Sequence, residues 1–135
     1  MEGDEMRVHI HPSFGGEDKA DGGVRRVVDA LRKHLLAYGI DVVERLEDAE
    51  LIASHILATK EILERHLDKP LVIHNHGLYW SEFEWKVGWC YKANAKCMES
   101  IRQANAVTAP TEWVAQALRR HSLRQVTVIL SLIHI

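Results

Sequence analysis

No apolar run in these 135 residues is long enough to cross a bilayer, which takes about 20 consecutive apolar residues in a helix. The opening Met1-Glu2-Gly3-Asp4-Glu5 is acidic, the reverse of a signal peptide's basic start. Together these predict a cytoplasmic protein with no transmembrane segment. A basic tract is also missing. The 17 Lys and Arg are dispersed among 19 Asp and Glu, the formal charge is −2 and the pI is near 6.5, so a nucleic-acid or other polyanion partner is not expected. Cys90 and Cys97 are the only cysteines. On one helix their Cα atoms would lie about 10.5 Å apart, beyond disulfide reach and on nearly the same face as Ile101 and Ala104, which predicts reduced, buried packing. There is no internal repeat, no low-complexity linker and no Gly-x-Gly-x-x-Gly fingerprint of an NAD-type site. With 47% hydrophobic residues the chain is long enough for one core, burying roughly two-thirds of its unfolded surface.

What is present is an alternation of strand and helix patterns. Met6–His11 reads as a strand halted by Pro12, and Ser13-Phe14-Gly15-Gly16, Glu17–Asp21 and Gly22-Gly23 form a glycine-rich loop. Val24, Val27, Val28, Leu31 and Leu35 then recur at helical spacing up to a stop at Gly39. Ile40–Glu44 and Leu51–Ala53 are predicted strands around the charged turn Arg45–Glu50. Thr59 is a predicted N-cap for a short helix with Ile62, Leu63 and His66 or Leu67 inward. Pro70 introduces a buried strand from Leu71, followed by the amphipathic run Ala93–Ala104, the strand Ala106–Ala109, and a helix Glu112–His121 capped by Thr111 with Trp113, Val114, Ala117 and Leu118 inward. Val126–Ile129 is the sixth predicted strand. This pattern predicts an α/β fold, a Rossmann-like parallel sheet with helices on both faces.

Two stretches carry candidate chemistry. In Leu71–Trp80 a strand continuing through His76 would place His74 and His76 on one face at its C-terminal end, where ligands sit in open α/β sheets. Gly77 follows, and Tyr79 and Trp80 offer faces for stacking on a sugar; their alternative role is packing. The second stretch is the glycine loop. Free N–H groups at a helix start carry roughly half a positive charge and can approach a phosphate only where no Cβ intervenes, which makes Gly22 and Gly23 candidate anion contacts. Arg25 and Arg26 could add charge there, or one of them could belong to a solvated helix face.

The succession Val8–Phe14 into a glycine loop, Gly22-Gly23-Val24-Arg25-Arg26-Val27-Val28, Ile73-His74-Asn75-His76-Gly77 and Ala106-Val107-Thr108-Ala109-Pro110-Thr111-Glu112-Trp113-Val114 resembles the N-terminal domain of retaining sugar-nucleotide glycosyltransferases with the two-domain GT-B fold. The resemblance runs from about Met6 to Ile129. It implies an acceptor-side domain facing a C-terminal donor domain, with a nucleoside-diphosphate sugar as donor substrate and no permanently bound cofactor or metal. It makes Gly22 and Gly23 the approach to the diphosphate, His76 the imidazole nearest the transferred sugar with His74 beside it, and Thr111 and Glu112 part of the same cleft edge. The last two could equally be a helix cap.

After Ile129 the family continues Pro-Asn-Gly into an interdomain linker, whereas this chain reads Leu130-Ser131-Leu132-Ile133-His134-Ile135. Those six residues can be encoded by CTGTCTCTTATACACATC, the transposon end used in sequencing-library preparation. The expectation is therefore a native domain at 1–129, an adapter-encoded tail at 130–135, and a truncated chain that transfers no sugar alone; a genuine apolar strand extension is the alternative. Two other functions compete. His9-x-His11 at a strand end resembles metal-dependent amidohydrolases, whose paired imidazoles and later carboxylates hold zinc, and a Rossmann-like binding module without catalysis would show the same elements.

Overall fold

The structure, a computed structural model, describes residues 5–14, 22–65, 68–77 and 88–130. Six strands form one parallel sheet: β1 (Met6–His11), β2 (Ile40–Val42), β3 (Leu51–His55), β4 (Leu71–His74), β5 (Ala106–Ala109) and β6 (Thr127–Val128), in the order β2-β1-β3-β4-β5-β6. The helices are α1 (Gly23–His34), α2 (Lys60–Arg65), α3 (Gly88–Gln103) and α4 (Glu112–Ser122). From β1 the chain first crosses to β2 at one edge, then returns and moves through β3 to β6 in the other direction. Right-handed crossovers of opposite direction put their helices on opposite faces. Accordingly Val8, Ile10 and Ala53 pack with Val28 of α1 on one face. Ile52, Ile73 and Val107 pack with Ile62, Ile101 and Leu118 of the other three helices on the second face.

Local signals set the boundaries. Gly39, at φ 76°, ends the turn that continues α1, and its left-handed conformation is cheap only for glycine. The Thr59 and Thr111 hydroxyls accept the amide hydrogens of Ile62 and Val114, three residues on, capping α2 and α4. Cys90 and Cys97 are buried on α3 beside Ile101 and Ala104. Burial pushes the Cys97 thiol up to about 11, so it is a packing group, not a thiolate. Among the described residues no helix is long and apolar enough to cross a membrane.

Five sequence expectations are corrected. β3 does not stop at Ala53 but continues to His55, because Ser54 and His55 remain paired with Ile73 and His74 of β4. β4 ends at His74 and not at His76: the Asn75 Oδ1 accepts the Gly77 N–H at 2.7 Å, and this side-chain turn bends the chain out of the sheet. β2 and β6 are shorter than Ile40–Glu44 and Val126–Ile129. Trp113 is not in the inner stripe of α4 and is 63% exposed. Val114, Ala115 and Leu118 fill that stripe, and Trp113 lies about 100° around the helix from Val114.

Candidate functional site

The site grows out of strand register. In the parallel sheet His55 pairs with His74, His74 with Thr108, and Thr108 with Thr127. Side chains at paired positions point the same way, so four strands contribute one polar row near their C-terminal ends. Two residues earlier the same alternation gives Ala53 and Val72, and Ala53 belongs to the face packed by α1. The row therefore lies on the α1 side. It also adjoins the position where strand order reverses between β1 and β3, the crevice in which doubly wound sheets bind ligands.

Three imidazoles meet there. The His55 and His74 rings stack with centroids 4.8 Å apart and 24° between planes, and the His55 and His76 rings lie 5.1 Å apart, tilted by 37°. His55 Nδ1 is 2.9 Å from His76 Nε2, and His74 Nδ1 is 2.7 Å from the Thr108 hydroxyl. Burial, with His74, His76 and His11 nearby, pushes His55 down to about 3. Burial also lowers His74, and burial together with His9 lowers His11. At neutral pH His55 and His74 are therefore uncharged hydrogen-bonding rings rather than cations.

The turn behind His55 is tightly held. Ile56 donates its N–H to the His74 carbonyl at 2.9 Å, and Leu57 donates to the His55 carbonyl at 3.1 Å. The Ser54 hydroxyl donates to the Leu57 carbonyl at 2.6 Å. Ile56 adopts φ 77°, a left-handed conformation that is strained for a β-branched residue and that such bonding enforces. One residue further, Ala58 donates to the buried Ser100 hydroxyl at 3.0 Å, tying the turn to α3. Asn75 is 2% exposed; its Nδ2 has no partner among the described residues.

A groove of about 560 Å³ opens beside the row, with Val27 and Leu31 of α1 and Leu35 of the turn that follows it on one wall and His55, His74, Asn75, His76, Thr108 and Pro110 along the other. It joins an apolar flank to a row of imidazoles, a surface suited to a hydroxyl-bearing organic ligand. Gly22 caps α1 with φ 97° and ψ −176°, a conformation essentially confined to glycine, and no side chain caps the helix there. Gly23 is the first residue of α1. Arg25 is buried, with Nε 3.4 Å from Asp29 Oδ2 and its guanidinium 5.6 Å from the Phe14 ring centroid, so its charge is held beside the first turn while Arg26 is exposed.

Residues 3–133 match the family model described as Glycosyltransferase Family 4. The chain belongs to that family. No curated protein matches it in sequence.

Of the site residues expected for this glycosyltransferase domain, His74 and His76 come together, joined through His55 and not by strand alternation. Gly22, Gly23 and Arg25 stand at the start of α1, whose next turn supplies Val27 to the groove. Thr111 follows β5 at the same sheet edge, but its hydroxyl is occupied as the α4 cap. Glu112 Oε1 pairs with Arg119 Nη1 at 2.6 Å. Tyr79 and Trp80 lie outside the described residues. His9 Nδ1 meets the Val43 carbonyl at 3.2 Å, and alternation turns His9 and His11 to the face opposite Val8 and Ile10. Among the described residues no group of three or more His, Cys, Asp or Glu is placed to hold a metal ion. The sequence reading missed His55, Asn75 and Thr108. Extending the third strand by two residues, into register with His74, would have exposed His55.

Proposed function

We propose that this domain is the acceptor-side wall of a retaining glycosyltransferase that moves a sugar from a nucleoside-diphosphate sugar to a hydroxyl acceptor. The observation that supports it is the meeting of His55, His74 and His76 at the C-terminal sheet edge, in a groove whose other wall is the helix beginning at Gly22 and Gly23. On this reading the diphosphate lies against the N–H groups of the first turn of α1, where glycine allows close approach and the helix start favours negative charge. Arg25 adds positive charge behind it. His76 sits nearest the transferred sugar and hydrogen-bonds its hydroxyls, with His74 as support. An imidazole suits that task, because a sugar hydroxyl both donates and accepts.

Transfer also needs donor and acceptor held in register and the leaving diphosphate met by preorganised donors, which together supply several kcal/mol or more of the barrier lowering. One open wall does not do this. On this reading transfer takes place only where a donor domain closes the cleft. Amide chemical shifts recorded during titration with a nucleoside diphosphate and its sugar conjugates test the binding part. Movement of Gly22, Gly23 and Val24 with the diphosphate, and of His76 and Gly77 only when the sugar is attached, is expected; no response at α1 removes the diphosphate role. Product formation by the chain itself above a hydrolysis blank would overturn the two-wall requirement, and an inverted anomeric centre in the product of a two-domain protein would overturn retention.

A further inference from the structure

The His55 ring has one polar contact on each side of a choice. Its Nδ1 is 2.9 Å from His76 Nε2, while its Nε2 is buried with no hydrogen-bond partner among the described residues. The ring cannot turn away from this arrangement. It is 3% exposed, stacks on His74, and is fixed at the end of β3 by the strained Ile56 turn.

A neutral imidazole carries one N–H, so two arrangements are possible. In one, His55 Nδ1–H donates to the bare His76 Nε2, and His55 is left with a buried, unmet lone pair. In the other, His76 Nε2–H donates to a bare His55 Nδ1. The single proton of His55 must then sit on Nε2, as a buried N–H with no acceptor. Buried donors left unmet are rarer in folded proteins than under-used acceptors, which selects the first arrangement.

We propose that His55 is a positioning residue that donates Nδ1–H to His76 Nε2 and so locks His76 in the tautomer protonated on Nδ1. His76 is then a fixed N–H donor from Nδ1, the polarity that engages an oxygen lone pair. The tautomer does not depend on the glycosyltransfer reading.

Long-range ¹H–¹⁵N spectra of the labelled chain separate bare from protonated ring nitrogens, with His76→Gln supplying the assignment. The expected wild-type result is a bare Nε2 and a protonated Nδ1 for His76. In His55→Phe, which keeps a ring of similar size but removes the donor, the His76 Nε2 resonance should shift toward the protonated position as the two tautomers mix. In His55→Gln, whose amide can donate from a similar reach, it should stay near the wild-type position. A wild-type His76 protonated on Nε2, or a His76 spectrum unchanged in a folded His55→Phe, overturns the proposal. If the Phe variant does not fold, the wild-type spectrum alone decides. Because no substrate is present, loss of diphosphate binding with the expected tautomer would reject the glycosyltransfer reading and leave His55 in this role.

Discussion

His55 and His74 occupy paired positions on adjacent parallel strands and stack with centroids 4.8 Å apart. Among the described residues no carboxylate is recorded against either ring, so a proton added to either meets burial and, at His55, other imidazoles. The pair is stable only while neutral, and that has a consequence for acid stability.

Unfolded His55 would take up a proton near pH 6.5, whereas the folded residue does so only at about 3. Between those values the unfolded chain binds more protons. Stability is therefore complete above pH 6.5 and falls as pH drops toward 3, at up to about 1.4 kcal/mol per pH unit from His55. His74 and His11, also lowered, add in the same direction. Urea midpoints measured from about pH 7.5 down to about pH 4.5 should show this slope, above the range where carboxylates dominate. It should be flatter in His55→Gln; equal slopes would show that His55 is protonated in the folded state.

Gly22 and Gly23 should separate backbone strain from ligand approach. A Cβ at Gly22 meets no atom within 4 Å, yet its φ of 97° makes Gly22→Ala cost about 1–3 kcal/mol through the backbone alone. Gly23 is helical, so Gly23→Val should change the melting temperature little while weakening nucleoside-diphosphate affinity. Calorimetry finding equal affinity in Gly23→Val and wild type would place the phosphate elsewhere.

In a two-domain protein carrying this domain, His76→Ala should lower kcat by about 10²-fold, the usual loss for a donor acting on the reacting group. His74→Ala should lower kcat less and stability more, since its ring is stacked and bonded to Thr108. Steady-state kinetics with the opposite order would transfer the sugar contact to His74.

Ser100 should matter out of proportion to its size. Its hydroxyl accepts the Ala58 N–H at 3.0 Å and donates toward the Lys96 carbonyl at 2.9 Å, with the side chain 1% exposed. Ser100→Ala leaves the Ala58 N–H buried and unmet, at a cost of about 1–3 kcal/mol in urea unfolding. It should also broaden the His55 resonances, because Ala58 anchors the turn that follows them. An unchanged midpoint would mean the amide finds another acceptor.

The sheet and helices were legible because each has a local cause. Valine and leucine at helical spacing from Val24 to Leu35, the prolines at positions 12, 70 and 110 beside strand ends, and the hydroxyls of Thr59 and Thr111 act within a few residues. Trp113 was misplaced for the converse reason. Its hydrophobicity is local, but which side of α4 faces the sheet depends on where the helix lands, and that placed Val114, Ala115 and Leu118 inward.

The histidine site divides along the same line. Sequence by itself determined that His74, Asn75, His76 and Gly77 end a buried strand at the ligand-binding edge of an α/β sheet, since a β-rich run followed by glycine carries that information in place. Only the tertiary structure decided that His55, 21 residues earlier, bonds to His76. Register between parallel strands is fixed by side chains packing against α1 and α3 across the whole sheet. No spacing within one segment encodes it.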